Sequence, residues 1–217
     1  VVQRDRAFRV FGRARPGSAV VAQFGGASAK ARATRDGRWT LELPAQTASI
    51  LGRPLRVSAS LGAREERVVL RDVVVGDVWI CAGQSNMRWR VRQSPREAAD
   101  VLARARDARL RFFDAESRLV PTSRRYPLEF LKAYSAQTAF STERGWKVAS
   151  SETLAEFSGV AYHFAKRLVD ARAEVPVGVV LVAVGGAPME AFLPRDVARD
   201  ARLASYLDAW WSDARYP

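Results

Sequence analysis

The chain has 217 residues, 48% of them hydrophobic, enough for one sizeable apolar core or two small ones, which excludes a chain disordered throughout. Its net charge of +12 comes mostly from arginines scattered along the chain, among them Arg13, Arg15, Arg32, Arg35 and Arg38, and this scatter argues against nucleic acid as the partner. No run reaches the roughly eighteen consecutive apolar residues of a membrane helix, and Val1-Val2-Gln3-Arg4 is not a charged leader followed by an apolar core.

The first elements in chain order read as strands. Trp39, Leu41 and Leu43 alternate with polar residues, as do Leu55, Val57 and Ala59, and such alternation marks half-buried β structure. Arg15-Pro16-Gly17, Gly25-Gly26, Asp36-Gly37 and Leu61-Gly62 supply the φ freedom or fixed φ that tight turns need. Five or more short strands of this kind suggest a small β-sandwich domain over residues 1–72. Glu65-Glu66 reads as a solvated strand or turn.

A second domain is expected over residues 73–217, because the pattern changes after Arg71-Asp72. Val73 to Ile80 is nearly continuous apolar, as in a strand buried on both faces of a parallel sheet. Cys81, the one cysteine, can form no internal disulfide and is expected to pack beside this strand. Ser94-Pro95-Arg96-Glu97 has a capping-box pattern with proline at the first helical position, opening a helix to about Ala108. Leu110 to Phe113 is the next strand. Pro121 to Ser151 has no clear period, carries Tyr126, Tyr134 and Trp146, and reads as a long loop over the sheet edge, where substrates often bind. Phe157, Val160, Phe164 and Leu168, with Ala161 and Ala165, form a helical stripe, and Val175 to Val184 is a buried strand ending at Gly185-Gly186. Strands alternating with helices predict an α/β fold.

Ser85, after Gly83 at the end of the Val73–Ile80 strand, would project its hydroxyl from the carboxyl end of the sheet, where open α/β folds place their ligands. It reads equally as a helix cap, and the pattern is not Gly-x-Ser-x-Gly. The Gly185-Gly186 turn, at another strand end, either brings an amide N–H toward Ser85 as part of an oxyanion hole or is an ordinary connection. A serine nucleophile needs a base within hydrogen-bond reach. The single histidine, His163, falls on the predicted helix between Tyr162 and Phe164, and is not expected to be that base. Asn86 is the only asparagine, so no second one is available to donate to an oxyanion. One Cys and one His build no zinc site without several carboxylates, and neither Gly-x-Gly-x-x-Gly nor a P-loop is present.

Asp77-Val78-Trp79-Ile80-Cys81-Ala82-Gly83-Gln84-Ser85-Asn86-Met87 resembles the signature of the sialate O-acetylesterase-like SGNH hydrolases. The resemblance extends to Val2-Gln3-Arg4-Asp5, Asp36-Gly37-Arg38-Trp39, Phe157-Ser158-Gly159-Val160-Ala161-Tyr162, Pro176-Val177-Gly178 and Gly185-Gly186-Ala187-Pro188-Met189-Glu190-Ala191-Phe192, so it covers essentially the whole chain. Departures are Ala187 where the family usually has Thr, Phe192 where it has Trp, and His163 where it has Phe. The resemblance implies an SGNH-hydrolase (flavodoxin-like) three-layer α/β fold, incomplete in this chain, after the β-sandwich domain.

It also implies deacetylation of O-acetylated sugars, either sialic acid or a plant polysaccharide such as xylan or xyloglucan, through an acetyl-enzyme at Ser85 and without a cofactor or metal. Ser85, Gly185 and Gly186 would form the oxyanion hole, and Gln84, Asn86 and Glu190 would contact substrate. The family's Gln-Gly-Glu-Ser block and Asp-x-x-His pair have no counterpart in this sequence, so the chain looks like an N-terminal portion of a longer enzyme. The expected partner is the C-terminal remainder as a second polypeptide, in a nicked or processed enzyme exported to the periplasm or beyond. The competing expectation is a non-catalytic carbohydrate-binding fragment with an inert Ser85.

Overall fold

The structure is a computed structural model that describes residues 1–115 and 145–186. It divides into two compact units, the first Val1–Trp79 with Asp107–Arg111 and Ala165–Gly178, the second Ile80–Arg106, Phe112–Phe164 and Val179–Pro217. Strands β1 (Val2–Gln3), β2 (Phe8–Arg13), β3 (Ala19–Phe24), β4 (Ala27–Arg32), β5 (Arg38–Leu43), β6 (Ser49–Leu61) and β7 (Arg64–Gly83) come first. Then follow α1 (Ser85–Arg88), α2 (Pro95–Ala103), β8 (Asp107–Asp114), β9 (Lys147–Ala149), α3 (Ser151–Ala155), α4 (Gly159–Ala171) and β10 (Val177–Ala183). The larger sheet has the order β4-β3-β6-β7-β10-β8-β9 with β1 beside β7, and β2 and β5 form a separate two-stranded sheet.

In the first unit, β2 and β5 pair antiparallel from Phe8↔Leu43 to Arg13↔Arg38, while β3 pairs antiparallel with β4 and β6. The alternation read from sequence sets the core. Trp39, Leu41 and Leu43 of β5 point inward while Arg38, Thr40 and Glu42 point out, and they meet Val20, Ala22 and Phe24 of β3. Phe8 meets Phe24 edge to face at a centroid distance of 5.8 Å. Fully burying a side chain such as Phe24 or Leu43 contributes about 1.5–3 kcal/mol. The Asp36-Gly37 turn requires its glycine: φ is +79°, and a Cβ would lie 2.7 Å from the Ala14 carbonyl oxygen.

Residues 73–80 are not a strand of their own. They continue β7, a single 20-residue strand that passes from the first unit into the second. Asp72 adopts φ +55° within it, and the register against β6 shifts between Arg53 and Leu55. Its carboxylate accepts from Arg111 Nη2 at 2.9 Å and fills the space where a Cβ at position 52 would stand, which is why Gly52 lies opposite. The expected burial on both faces holds only at Val74, Val75 and Gly76, whereas Trp79 and Ile80 are 43% and 70% exposed. Close cover exists where β1 pairs through Val2↔Val75 and where Pro176 O accepts from Asp77 N at 2.9 Å. An apolar run tells which residues can be buried, not how far along the strand its neighbours reach.

In the second unit, Gly83 O accepts from Val184 N at 3.1 Å. Together with Asp77–Pro176 this pairing runs in one direction along both strands, so β7 and β10 are parallel. Helix α2 ends at Ala103, short of the expected Ala108. Ser94 accepts no capping bond from the helix; its hydroxyl instead accepts from Trp89 Nε1 at 3.2 Å. Part of the expected Pro121–Ser151 loop is ordered structure, namely β9 and the cap of α3, where Thr153 N donates to Ser150 Oγ and Ser150 N to Thr153 Oγ1. On α4 the buried positions are Ala161, Tyr162, Ala165 and Val169, while Val160 and Phe164 of the expected stripe are 52% and 39% exposed. Trp146, expected in the loop, lies against Phe113 at 5.7 Å; Tyr126 and Tyr134 lie outside the described residues.

Candidate active site

Strand β7 ends at Gly83, whose φ of +157° and a space closed by Met87 Cβ, 2.9 Å from where its own Cβ would stand, suit glycine alone. The chain then turns through Gln84 into α1, a single turn closed by Arg88 N donating to Gln84 O at 2.9 Å. Ser85 is its first residue. Gln84, Ser85 and Asn86 are all exposed, so the hydroxyl is presented to solvent at the carboxyl end of β7. The cap reading fails, because α1 takes no side-chain cap bond.

The Gly83–Val184 hydrogen bond fixes the second strand end beside the first. Val184 is followed by the Gly185-Gly186 turn, with Gly186 at φ +77°, so the two glycine corners share one end of the sheet in the second unit. Glu190 lies outside the described residues. Among the described residues the only side-chain bond of Ser85 Oγ is a 3.5 Å donation to Gln84 Oε1. His163 sits exposed on α4 with its ring 5.2 Å from that of Tyr162, in keeping with a helix residue. Cys81 is buried on β7, and burial pushes its thiol pKa up.

Sequence reasoning missed the clamp on α1. Arg88 Nη1 donates to both carboxylate oxygens of Asp114 at 3.0 Å, tying the helix that carries Ser85 to the end of β8. The segment after α1 is held as firmly: Val91 N donates to Phe157 O at 3.0 Å, Gly159 N to Trp89 O at 2.9 Å, and Ser158 Oγ lies 3.8 Å from Met87 Sδ. Beside Asp114 opens a cavity of about 250 Å³ lined by Phe112, Asp114, Lys147, Thr153, Glu156 and Phe157. Phe112 and Phe157 stack at 4.3 Å, and Glu156 accepts from Arg90 at 2.9 Å and pairs with Arg92 at 2.7 Å. An aspartate closing a strand, as Asp114 closes Leu110–Phe113, was the available signal. Among the described residues no three His, Cys, Asp or Glu side chains gather as a metal site, and no helix is long and apolar enough to cross a membrane.

Residues 75–205 match the family model of the carbohydrate esterases described as sialic acid-specific acetylesterase. The sialate O-acetylesterases of Pongo abelii and Homo sapiens are each 30% identical to this chain over 148 residues, 65% of this chain and 26% of theirs. The crystal structure of a carbohydrate acetylesterase from Xanthomonas citri is similar over 93% of this chain and 42% of its own, with 32% identity and a TM-score of 0.72. The chain thus spans about a quarter of its curated relatives and under half of the solved enzyme, and its mixed α/β architecture is shared with the latter. Taken with a matched segment that includes Ser85 and both glycine corners, these similarities place the chain in the sialic acid-specific acetylesterase family of carbohydrate esterases.

Proposed function

We propose that this chain carries the nucleophile of a serine carbohydrate O-acetylesterase, within an SGNH-type three-layer domain preceded by a β-sandwich domain. The observation that supports this most is the Gly83–Val184 hydrogen bond, which sets Ser85 and the Gly185-Gly186 turn at one end of the sheet. Ser85 Oγ attacks the acetyl carbonyl carbon and gives up its proton to a base. The ester C–O bond breaks, the sugar hydroxyl leaves with that proton, and water then releases acetate and restores Ser85. The Ser85 amide and an amide at Gly185 or Gly186 serve the oxyanion, with Gln84, Asn86 and Glu190 against the sugar.

The base does not come from His163. In this reading a His and its orienting Asp, with one further amide donor, come from elsewhere in the enzyme than the described residues. The substrate is an O-acetylated sugar, sialic acid or a plant polysaccharide such as xyloglucan or xylan, met outside the cytoplasm by a secreted or periplasmic enzyme. The assay is acetate release from acetylated sialic acid and acetylated xyloglucan by the complete enzyme. Ser85→Ala is expected to lower release by at least about a thousandfold. Unchanged release would remove Ser85 from the mechanism.

A second reading, a non-catalytic carbohydrate-binding fragment, is favoured by Ser85 Oγ having, among the described residues, only a 3.5 Å side-chain contact with Gln84. It predicts sugar binding without acetate release, indifferent to Ser85→Ala.

A further inference from the structure

We propose that the open edge of β7 between Arg64 and Asp72 is the interface of a two-fold dimer, in which a second copy of the chain adds its own Arg64–Asp72 segment antiparallel to the first. One side of this edge segment pairs with β6, from Leu55↔Leu70 to Leu61↔Arg64. On the other side its described neighbours, β1 and β10, meet β7 no earlier than Val75 and Asp77. Residues 64–72 are all exposed, and the middle of the run is apolar, with Val68, Val69 and Leu70 at 58%, 45% and 51% exposure. Edge strands are normally blunted by proline or lysine, and neither interrupts residues 64–72. Unpaired backbone groups beside apolar side chains are what an added strand binds.

Charge selects the second copy as the occupant. A two-fold axis at Val68 sets Val68 against its own copy, Glu65 of each chain against Arg71 of the other, and Arg64 against Asp72, so every charge-to-charge pair is of opposite sign. Moving the axis by half a residue opposes Arg64 to Arg71 or Glu65 to Asp72, and moving it by a whole residue opposes Arg67 to its own copy or to Arg71. One register is therefore free of like-charge pairs. Glu65, Arg67 and Arg71 alternate onto one face of β7, where Arg67 Nη2 donates to Glu65 Oε2 at 2.7 Å and Arg71 has no ion pair among the described residues. Asp72 is already engaged by Arg111, which makes Glu65–Arg71 the pair that reports on the register. A contact one strand wide belongs to the small, transient class of interfaces, with a dissociation constant on the order of tens of micromolar.

The experiment is sedimentation velocity of the complete enzyme at concentrations about tenfold either side of that constant, for wild type, Glu65→Arg, Arg71→Glu and an equimolar mixture of the two variants. Wild type should pass from monomer to dimer as concentration rises. Each single variant places two like-charge pairs in its own homodimer and should weaken association about tenfold or more, a difference that added salt reduces. In the mixture, a Glu65→Arg chain facing an Arg71→Glu chain has opposite charges in both pairs again, and association should return to the wild-type level. The double variant Glu65→Arg/Arg71→Glu should dimerise like wild type for the same reason. A wild type that stays monomeric, whether its edge is bare or covered by another segment of the enzyme, would overturn the proposal. So would single variants that dimerise as wild type does, or a mixture and a double variant that both stay monomeric with the wild-type melting temperature. Association is read without turnover, so its failure leaves the role of Ser85 standing.

Discussion

The β core of the first unit and the Ser85 end of the sheet in the second bury their side chains by different rules. In the first, β3 and β5 turn every second side chain into one apolar cluster, and Val20, Ala22, Phe24, Leu41 and Leu43 are at most 5% exposed. In the second, the carboxyl ends of β7 and β8 carry exposed Gln84, Ser85 and Asn86 and the Arg88–Asp114 and Arg90–Glu156 pairs. One region is held by exclusion of water, which tolerates little loss of volume. The other is held by oriented charged hydrogen bonds, whose geometry matters more than their energy.

The largest effect that would sharpen this contrast is expected from Phe24→Ala, a destabilisation of about 3–5 kcal/mol measured by chemical denaturation. Leu51, 74% exposed on β6, is the control: Leu51→Ser should stay within about 0.5 kcal/mol. Similar costs at both positions would break the picture of a single closed core. Arg88→Met should destabilise by about 1–2 kcal/mol, since it removes a charged, two-oxygen hydrogen bond at a partly buried Asp114, yet lower acetate release by the complete enzyme about tenfold or more through misplacement of α1. Loss of stability with full activity would show that the clamp is not a positioning device. Ser150→Ala removes the α3 cap and should cost about 1 kcal/mol, a shift in the unfolding midpoint.

The smallest effect is chemical. Because burial raises the Cys81 pKa, its thiol stays protonated over pH 7–8, and alkylation by iodoacetamide should be slower than for a free thiol, gaining as pH rises. Mass spectrometry of the labelled protein reads it, and labelling as fast as glutathione would contradict the buried position.

The parts of the fold that were legible in the sequence are those governed by local rules. The period of two in Trp39-Thr40-Leu41-Glu42-Leu43 gave the right inward face, and the glycines of the turns read between the first strands, Gly17, Gly25, Gly26, Gly37 and Gly62, all have positive φ. Where neighbours distant in sequence decide, the reading slipped. Whether Trp79 and Ile80 are covered depends on strands far away in the chain, and on α4 the inner face falls to Ala161, Tyr162, Ala165 and Val169 rather than to Val160 and Phe164. The candidate site rests on Ser85 through the resemblance of its segment to a known signature, and the segment lies within the matched residues 75–205. Arg88–Asp114 was not, because 26 residues separate partners whose pairing exists only once β8 lies near α1.

The continuity of β7 has a consequence for the order in which the protein assembles. Its first half pairs with β6 through a hairpin whose turn joins Leu61 to Arg64, a contact that forms quickly because the loop to be closed is short. Its second half meets β10 through Asp77–Pro176 and Gly83–Val184, partners about one hundred residues apart in the chain. The early ladder therefore aligns a strand whose far tip depends on a longer closure, and the corner bearing Ser85 is expected to form after the β6–β7 hairpin and to open before it. Amide hydrogens should therefore exchange sooner at Val184 than at Val57, which would make the Ser85 end of β7 a kinetically weaker seam than its hairpin end.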